Sequence, residues 1–322
     1  MGKKFAYITF HKIIEESSSS WKNQFLLKAQ NYYIKKRQPI FLQEIEIADV
    51  IGYEVQIPGI LEDIIKNEMV SRARLLTKLM VQLQKYEVEV MAWEQPWLDQ
   101  EQLNIPVVQG QEMILFFILP AILKILPIIS KPLESLEICV IGGPNKRTNL
   151  ILDLIYPHFN FLTLMTEKPD TFLKKGEQIY EEVGLLVNFV EKKYNRVIHE
   201  DVIINLEPDD TSFYFCKKGT VYFDYSGSRE HTKKILLNRN DIIVIDDLSL
   251  LYQEQEFSTK LLELIWFSQD PTFRHHLLYG YDPKDLSRLM SYIKRNNMEV
   301  CSFHQYGKDL RDTPTKRCID IF

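Results

Sequence analysis

Short apolar runs separated by turn residues dominate the middle of the chain. Leu136–Ile141 (LEICVI), Phe161–Met165 (FLTLM), Leu185–Val190 (LLVNFV), Val202–Leu206 (VIINL), Val221–Asp224 (VYFD) and Ile242–Ile245 (IIVI) each read as a strand. After the first, Leu150, Ile151, Leu154 and Ile155 recur at helical spacing as far as about Tyr156. A second helix is predicted over Pro169–Glu182, with Gly184 placed to cap it. Continuous apolar strands alternating with helices predict a parallel sheet covered on both faces.

The first third has its own α/β rhythm. Phe5–Phe10 reads as a strand, Ser17–Ser20 as a loop or helix start, and Phe25, Leu26, Ala29, Tyr32 and Tyr33 as a helix face. Ile64, Ile65, Leu75, Leu76, Leu79, Met80 and Leu83 mark a helix or broken helix pair, and Val88–Trp93 and Ile105–Val108 mark further strands. Met113–Ile129 (MILFFILPAILKILPII) is almost continuously apolar but is interrupted by Pro120, Lys124 and Pro127. It falls short of the roughly 20 residues that span a bilayer, so it reads as a buried helix kinked at Pro120 and ended near Pro127. From about Leu250 the pattern is mainly helical, as in Leu261–Trp266.

The expected fold is therefore α/β: a Rossmann-like, mostly parallel sheet with a separate N-terminal α/β lobe and a helical C-terminal segment. The expected boundaries are 1–131, 132–249 and 250–322.

Composition narrows the function classes. Over 322 residues, 45% hydrophobic and 26% charged content is ordinary for a globular chain, and a net charge of −5 gives nucleic acid or an anionic membrane no electrostatic footing. Cys139, Cys216, Cys301 and Cys318 form no CxxC pair, which fits free thiols in a reducing compartment and no structural zinc. MGKKFAYITF lacks the apolar core of a signal peptide, and a cytoplasmic location is expected.

The chemistry centres on Gly142-Gly143-Pro144-Asn145-Lys146-Arg147-Thr148, where a strand turns into a helix. Measured against GxGxxG from Gly142, the later glycine places hold Pro144 and Arg147, and no P-loop pattern is present. Helix N-terminal amides attract anions without glycine, and Lys146, Arg147 and Thr148 suit a phosphate. The other reading is a plain strand–helix turn with solvated basic residues. Glu167 lies just past the second strand, where an acid binds ribose hydroxyls and favours NAD over NADP; it also suits the dipole of a following helix. Asn205 and Asp224 stand at carboxyl ends of predicted strands, the edge where ligands of open α/β sheets bind; the other reading is that they close the following turns, favoured at Asp224 by the Ser226-Gly227-Ser228 that follows it. Asp246 and Asp247, without a P-loop, do not make a magnesium site. His275 and His276 are adjacent and point different ways on a helix, while His11, His158, His199, His231 and His304 are scattered without metal spacing; a surface or capping role is the default for each. No GxSxG or other nucleophile motif occurs, and no catalytic residue is identified.

Val107-Val108-Gln109-Gly110 leading into a long helix, Ile138–Gly143, Val202–Leu206 and Gly219–Asp224 follow one another in an order that resembles the two-lobe Rossmann reductases related to shikimate dehydrogenase, glutamyl-tRNA reductase and the long-chain acyl-carrier-protein reductases. The resemblance covers roughly residues 50–250. It implies NAD or NADP as cofactor, held by Gly142, Gly143, Asn145, Lys146, Arg147, Thr148, Glu167, Asn205 and Asp224. It also implies a small carbonyl, imine or acyl substrate in a cleft between lobes. The chain departs from the group in its eroded glycine pattern and in lacking a first-lobe cysteine for thioester chemistry. The alternative is a non-catalytic binding or scaffold protein that keeps the fold, and a homo-oligomer is left open.

Overall fold

A computed structural model describes residues 3–11, 40–58, 69–93, 103–192 and 197–312. The expectations for Ser17–Ser20, for Phe25 to Tyr33 and for Ile64 and Ile65 lie outside the described residues. The chain divides into two units, Met1–Gln109 with Glu263–Arg274, and Gly110–Leu262 with His275–Phe322.

The first unit contains β1 (Lys4–His11), β2 (Phe41–Ile47), β3 (Val50–Pro58), α1 (Met69–Lys85), β4 (Val88–Trp93) and β5 (Val107–Val108). Its sheet has the order β2-β3-β1-β4-β5, with β1 parallel to β3 and β4 and only β2 antiparallel. β2 and β3 join through Ala48 and Asp49, both in the left-handed region at φ 51° and 61°. Such a two-residue turn matches the twist of the strands that it joins. Leu75, Leu79 and Leu83, four residues apart on α1, bury one stripe in a core with Ile8, Val55 and Met91.

The second unit opens with α2 (Gln111–Phe116) and α3 (Ile118–Ile129). Proline has no N–H for the turn before it, so the expected kink at Pro120 becomes a break at Phe117, and Pro120 falls in the first turn of α3 where no N–H is needed. Pro127 does not end this helix; it lies inside α3, and Ser130 at φ 56° ends it. No described helix is long and apolar enough to cross a membrane. Both helices pack against α4 (Lys146–Ile155), and both fall within this unit.

The chain continues through β6 (Glu137–Ile141), α4, β7 (Phe161–Thr166), α5 (Leu173–Val183), β8 (Asn188–Glu191), β9 (Val202–Asn205), β10 (Val221–Asp224), α6 (Arg229–Asn238) and β11 (Ile243–Ile245). Gly184 caps α5 at φ 73°. All six strands are parallel in the order β11-β10-β9-β6-β7-β8, which is the 3-2-1-4-5-6 arrangement of a Rossmann sheet read from the other edge. Cys139 lies in β6 at its middle, fully buried between β7 and β9.

The C-terminal part departs from the helical expectation. Beside α7 (Thr259–Gln269), α8 (Pro271–Tyr279) and α9 (Pro283–Arg295) it holds β12 (Asp247–Tyr252), β13 (Gln255–Ser258), β14 (Glu299–Gln305) and β15 (Lys308–Asp309). These strands form an antiparallel sheet of order β13-β12-β14-β15. A tight turn at Gln253–Glu254, both at positive φ, folds β13 back on β12.

Candidate functional site on the carboxyl edge of the parallel sheet

Strand order reverses between β6 and β9, so their carboxyl ends form the switch point where ligands of open α/β sheets bind. Gly142 follows β6 and is buried; a Cβ there would meet Thr148 Oγ1 at 2.5 Å, so this glycine lets α4 approach the strand. Pro144 stands at the corner of a three-residue turn closed by Asn145 N donating to Gly143 O at 2.8 Å. Asn145 caps α4: its Oδ1 accepts from Thr148 N at 2.9 Å and from Thr148 Oγ1 at 3.2 Å.

Three further polar groups of the loop make bonds within the protein. Gly143 N donates to Glu207 Oε1 at 2.7 Å. Lys146 Nζ donates to the Tyr279 carbonyl at 2.6 Å. Arg147 Nη2 donates to the Tyr225 carbonyl at 3.2 Å, and its Nε lies 3.3 Å from Glu112, whose other oxygen meets His276 Nε2 at 3.1 Å. Arg147 thus ties the loop after β10 to α2. Glu167 lies exposed just past β7.

Asn205 and Asp224 are paired in the register of β9 and β10 and are both buried. Asn205 Nδ2 donates to Asp224 Oδ1 at 3.1 Å and to the Glu207 carbonyl at 2.9 Å, while its Oδ1 accepts from Glu207 N at 3.0 Å. Asp224 also accepts from Ser226 Oγ at 2.8 Å and from Thr232 Oγ1 at 2.7 Å. His231, in the first turn of α6, completes the shell with Nδ1 at 3.0 Å from each Asp224 oxygen. Its Nε2 lies 2.8 Å from the Asp210 carbonyl, which only accepts, so Nε2 carries a proton. Nδ1 faces a carboxylate, an arrangement that favours a second proton there and the charged form of the ring. Burial lowers its pKa, but the hydrogen bond and charge of Asp224 outweigh burial and the net shift is upward. The expected surface or capping roles of His231 and His276 are therefore corrected: both rings are buried because each finds a carboxylate partner.

Asp246 follows β11 on the same edge, and its Oδ1 accepts from Tyr306 N at 2.9 Å. Burial pushes its carboxyl up to about 7, with the charges of Asp247 and Asp224 adding to the rise and the Tyr306 hydrogen bond opposing it. The nearby Tyr225 hydroxyl is buried without a hydrogen-bond partner, and burial with the charges of Asp247 and Asp246 raises it well above the ordinary tyrosine range. Among the described residues no cluster of three or more metal-ligating side chains occurs. Two surface cavities, about 300 and 480 Å³, lie near the amino ends of β6 and β7 around Asn160, Phe161 and Leu186, away from this chemistry.

Of the residues singled out in the sequence, the structure brings Gly142, Gly143, Asn145, Lys146, Arg147 and Thr148 onto one turn and Asn205 with Asp224 into one network. Glu207, His231 and Tyr225 belong with them, and no sequence motif marks these three. A signal for Glu207 exists in its place two residues beyond Asn205, on the same strand end.

No family model matches the chain, and no curated protein matches it. Among solved structures it is similar to L-tryptophan dehydrogenase from Nostoc punctiforme, at 10% identity and TM-score 0.37 over 92% of this chain and 80% of that one. It is similar to quinate dehydrogenase from Corynebacterium glutamicum in complex with NAD, at 12% identity and TM-score 0.34 over 91% and 99%. A shikimate dehydrogenase in complex with NADP+ matches at 10% identity and TM-score 0.32 over 76% and 84%.

Proposed function

We propose that the second unit binds NAD or NADP along the carboxyl ends of β6, β9 and β10, and that the protein is an oxidoreductase acting on a small carbonyl, imine or acyl substrate. The observation that carries this reading is the six-stranded parallel sheet in Rossmann order, with Gly142 and a strand–turn–helix at its switch point.

The residues present fit such a group with one exchange. Gly142 keeps α4 close to β6, so the helix start faces the ligand edge, and Glu167 is exposed where ribose hydroxyls would be met. Gly143 N is held by Glu207 and has to be released to a pyrophosphate. When bound, the nicotinamide supplies or takes a hydride. The chain's own part is to hold the polar edge rigid through Asn205, Asp224 and His231. Asp246, a carboxyl that keeps its proton to near pH 7, suits proton transfer on that edge.

A second reading, a binding or scaffold protein without catalysis, is favoured by the internal engagement of Gly143 N, Lys146 and Arg147. A thermal-shift series on the full chain with NAD, NADH, NADP, NADPH, ATP and phosphate separates the two. A nicotinamide dinucleotide that raises the melting temperature supports the first reading. No shift with any of the four at millimolar concentration defeats it.

A further inference from the structure

The carboxylate of Glu207 sits where the loop after β6 would meet a phosphate. Gly143 N donates to Glu207 Oε1 at 2.7 Å, and a Cβ on Gly143 would meet that same oxygen at 3.2 Å. In this kind of turn the backbone amides ahead of the helix are what the protein offers a pyrophosphate. Here an anion from the chain itself already fills one of them.

This placement is built into the edge of the sheet. Glu207 N donates to Asn205 Oδ1, and Asn205 Nδ2 donates back to the Glu207 carbonyl, so both backbone polar groups of Glu207 are tied to one buried side chain. Asn205 is held in turn by Asp224, itself paired with His231. Pro208 follows directly and restricts the Glu207 backbone to extended conformations. The anchor is therefore rigid, while the half-buried side chain keeps torsions through which its carboxylate can leave the amide.

We propose that Glu207 is an internal stand-in for phosphate, competing with an incoming dinucleotide for the Gly143 amide. The inference rests on the dinucleotide reading given above. Two anions cannot share one N–H at hydrogen-bond distance, so the arriving pyrophosphate displaces Glu207 and then still meets its charge nearby. Glu207 thereby sets the affinity of the site. It weakens every ligand that carries a pyrophosphate and leaves untouched one that carries none. Lys146 and Arg147 meanwhile direct their bonds to the carbonyls of Tyr279 and Tyr225.

Isothermal titration of the full chain with NADH, NADPH, ADP-ribose and adenosine tests this on the wild type, E207Q and E207A. The glutamine keeps an oxygen for Gly143 N and removes the charge; the alanine removes both. ADP-ribose and at least one of the two dinucleotides should bind both variants roughly ten- to a hundredfold more tightly, with adenosine unchanged. Equal dinucleotide affinity in all three proteins overturns the role of Glu207 and leaves the dinucleotide reading standing. Failure of the wild type and both variants to bind any dinucleotide overturns the dinucleotide reading, and this inference with it. Adenosine tightening as much as ADP-ribose would mean a general change of the edge, and also overturns the proposal. As a check on folded protein without ligand, hydrogen exchange at Gly143 should speed up in E207A and stay slow in E207Q; unchanged protection in E207A counts against the contact.

Discussion

His231 Nδ1 lies 3.0 Å from both carboxylate oxygens of Asp224, with both side chains shut off from solvent. Removing one member of a buried ion pair leaves the other without compensation, which typically costs 3–5 kcal/mol. D224N should therefore lower the urea-unfolding free energy by about 3–5 kcal/mol. A loss below about 1 kcal/mol would mean that the pair is not ionised.

The same pair makes stability depend on pH with a definite sign. The folded-state pKa of His231 is raised above its ordinary 6.5, so the folded protein binds a proton that the unfolded chain has released. The contribution is complete below pH 6.5 and disappears as pH rises through the folded value. H231Q should be less stable than wild type at pH 6, and the gap should narrow toward alkaline pH in a series of denaturation curves.

Asp246 acts in the opposite functional direction with the same slope. Its carboxyl is raised from 3.8 to about 7, so between those values the folded state holds a proton that the unfolded state lacks, and stability falls as pH rises across that window. D246N keeps the hydrogen bond from Tyr306 N and should gain roughly 1–2 kcal/mol at pH 8, a figure reduced for partial solvent screening. Its stability between pH 4 and 7 should be flatter than that of the wild type.

Gly142 is predicted to be irreplaceable for a packing reason. A Cβ would stand 2.5 Å from Thr148 Oγ1, so G142A should cost about 1–3 kcal/mol. T148A clears that atom, and the double variant should lose less than the two single losses added together. Strict additivity would show that the strand–helix approach is looser than it looks.

Arg147 is expected to move stability and not ligand affinity. R147M breaks the bridge between Glu112 and the Tyr225 carbonyl, for a loss of about 1–2 kcal/mol in urea, with dinucleotide affinity unchanged. A large loss of affinity at unchanged stability would return Arg147 to the phosphate-binding role that its position in the sequence suggests.

What could be read from the residues follows from how each element is buried. β6, β9 and β10 are covered on both faces, and their runs CVI, VIIN and VYFD announce themselves without context. β2 (FLQEIEI) has no fully buried residue and borrows its pairing from β3, so nothing local marks it. β14 depends likewise on β12, some fifty residues earlier, and β15 pairs with β14 in turn. At the site, Asn205 and Asp224 were legible because strand ends carry ligands. Glu207 was not, because its meaning lies in an amide 64 residues away in the chain. The role of His231 is hidden for a related reason: only the folded turn after β10 brings its ring to Asp224.

Cys139, at the centre of the parallel sheet, gives the molecule an internal clock. Its thiol is fully buried, and that of Cys216, also buried, is pushed up to about 12 by its surroundings, so neither reacts while the sheet is closed. Cys301 on β14 is only partly buried, and although burial and the neighbouring Glu256 raise its thiol too, it lies within reach of a reagent. An alkylating reagent therefore marks Cys301 at a rate set by the reagent, and Cys139 at a rate set by how often the two central strands part.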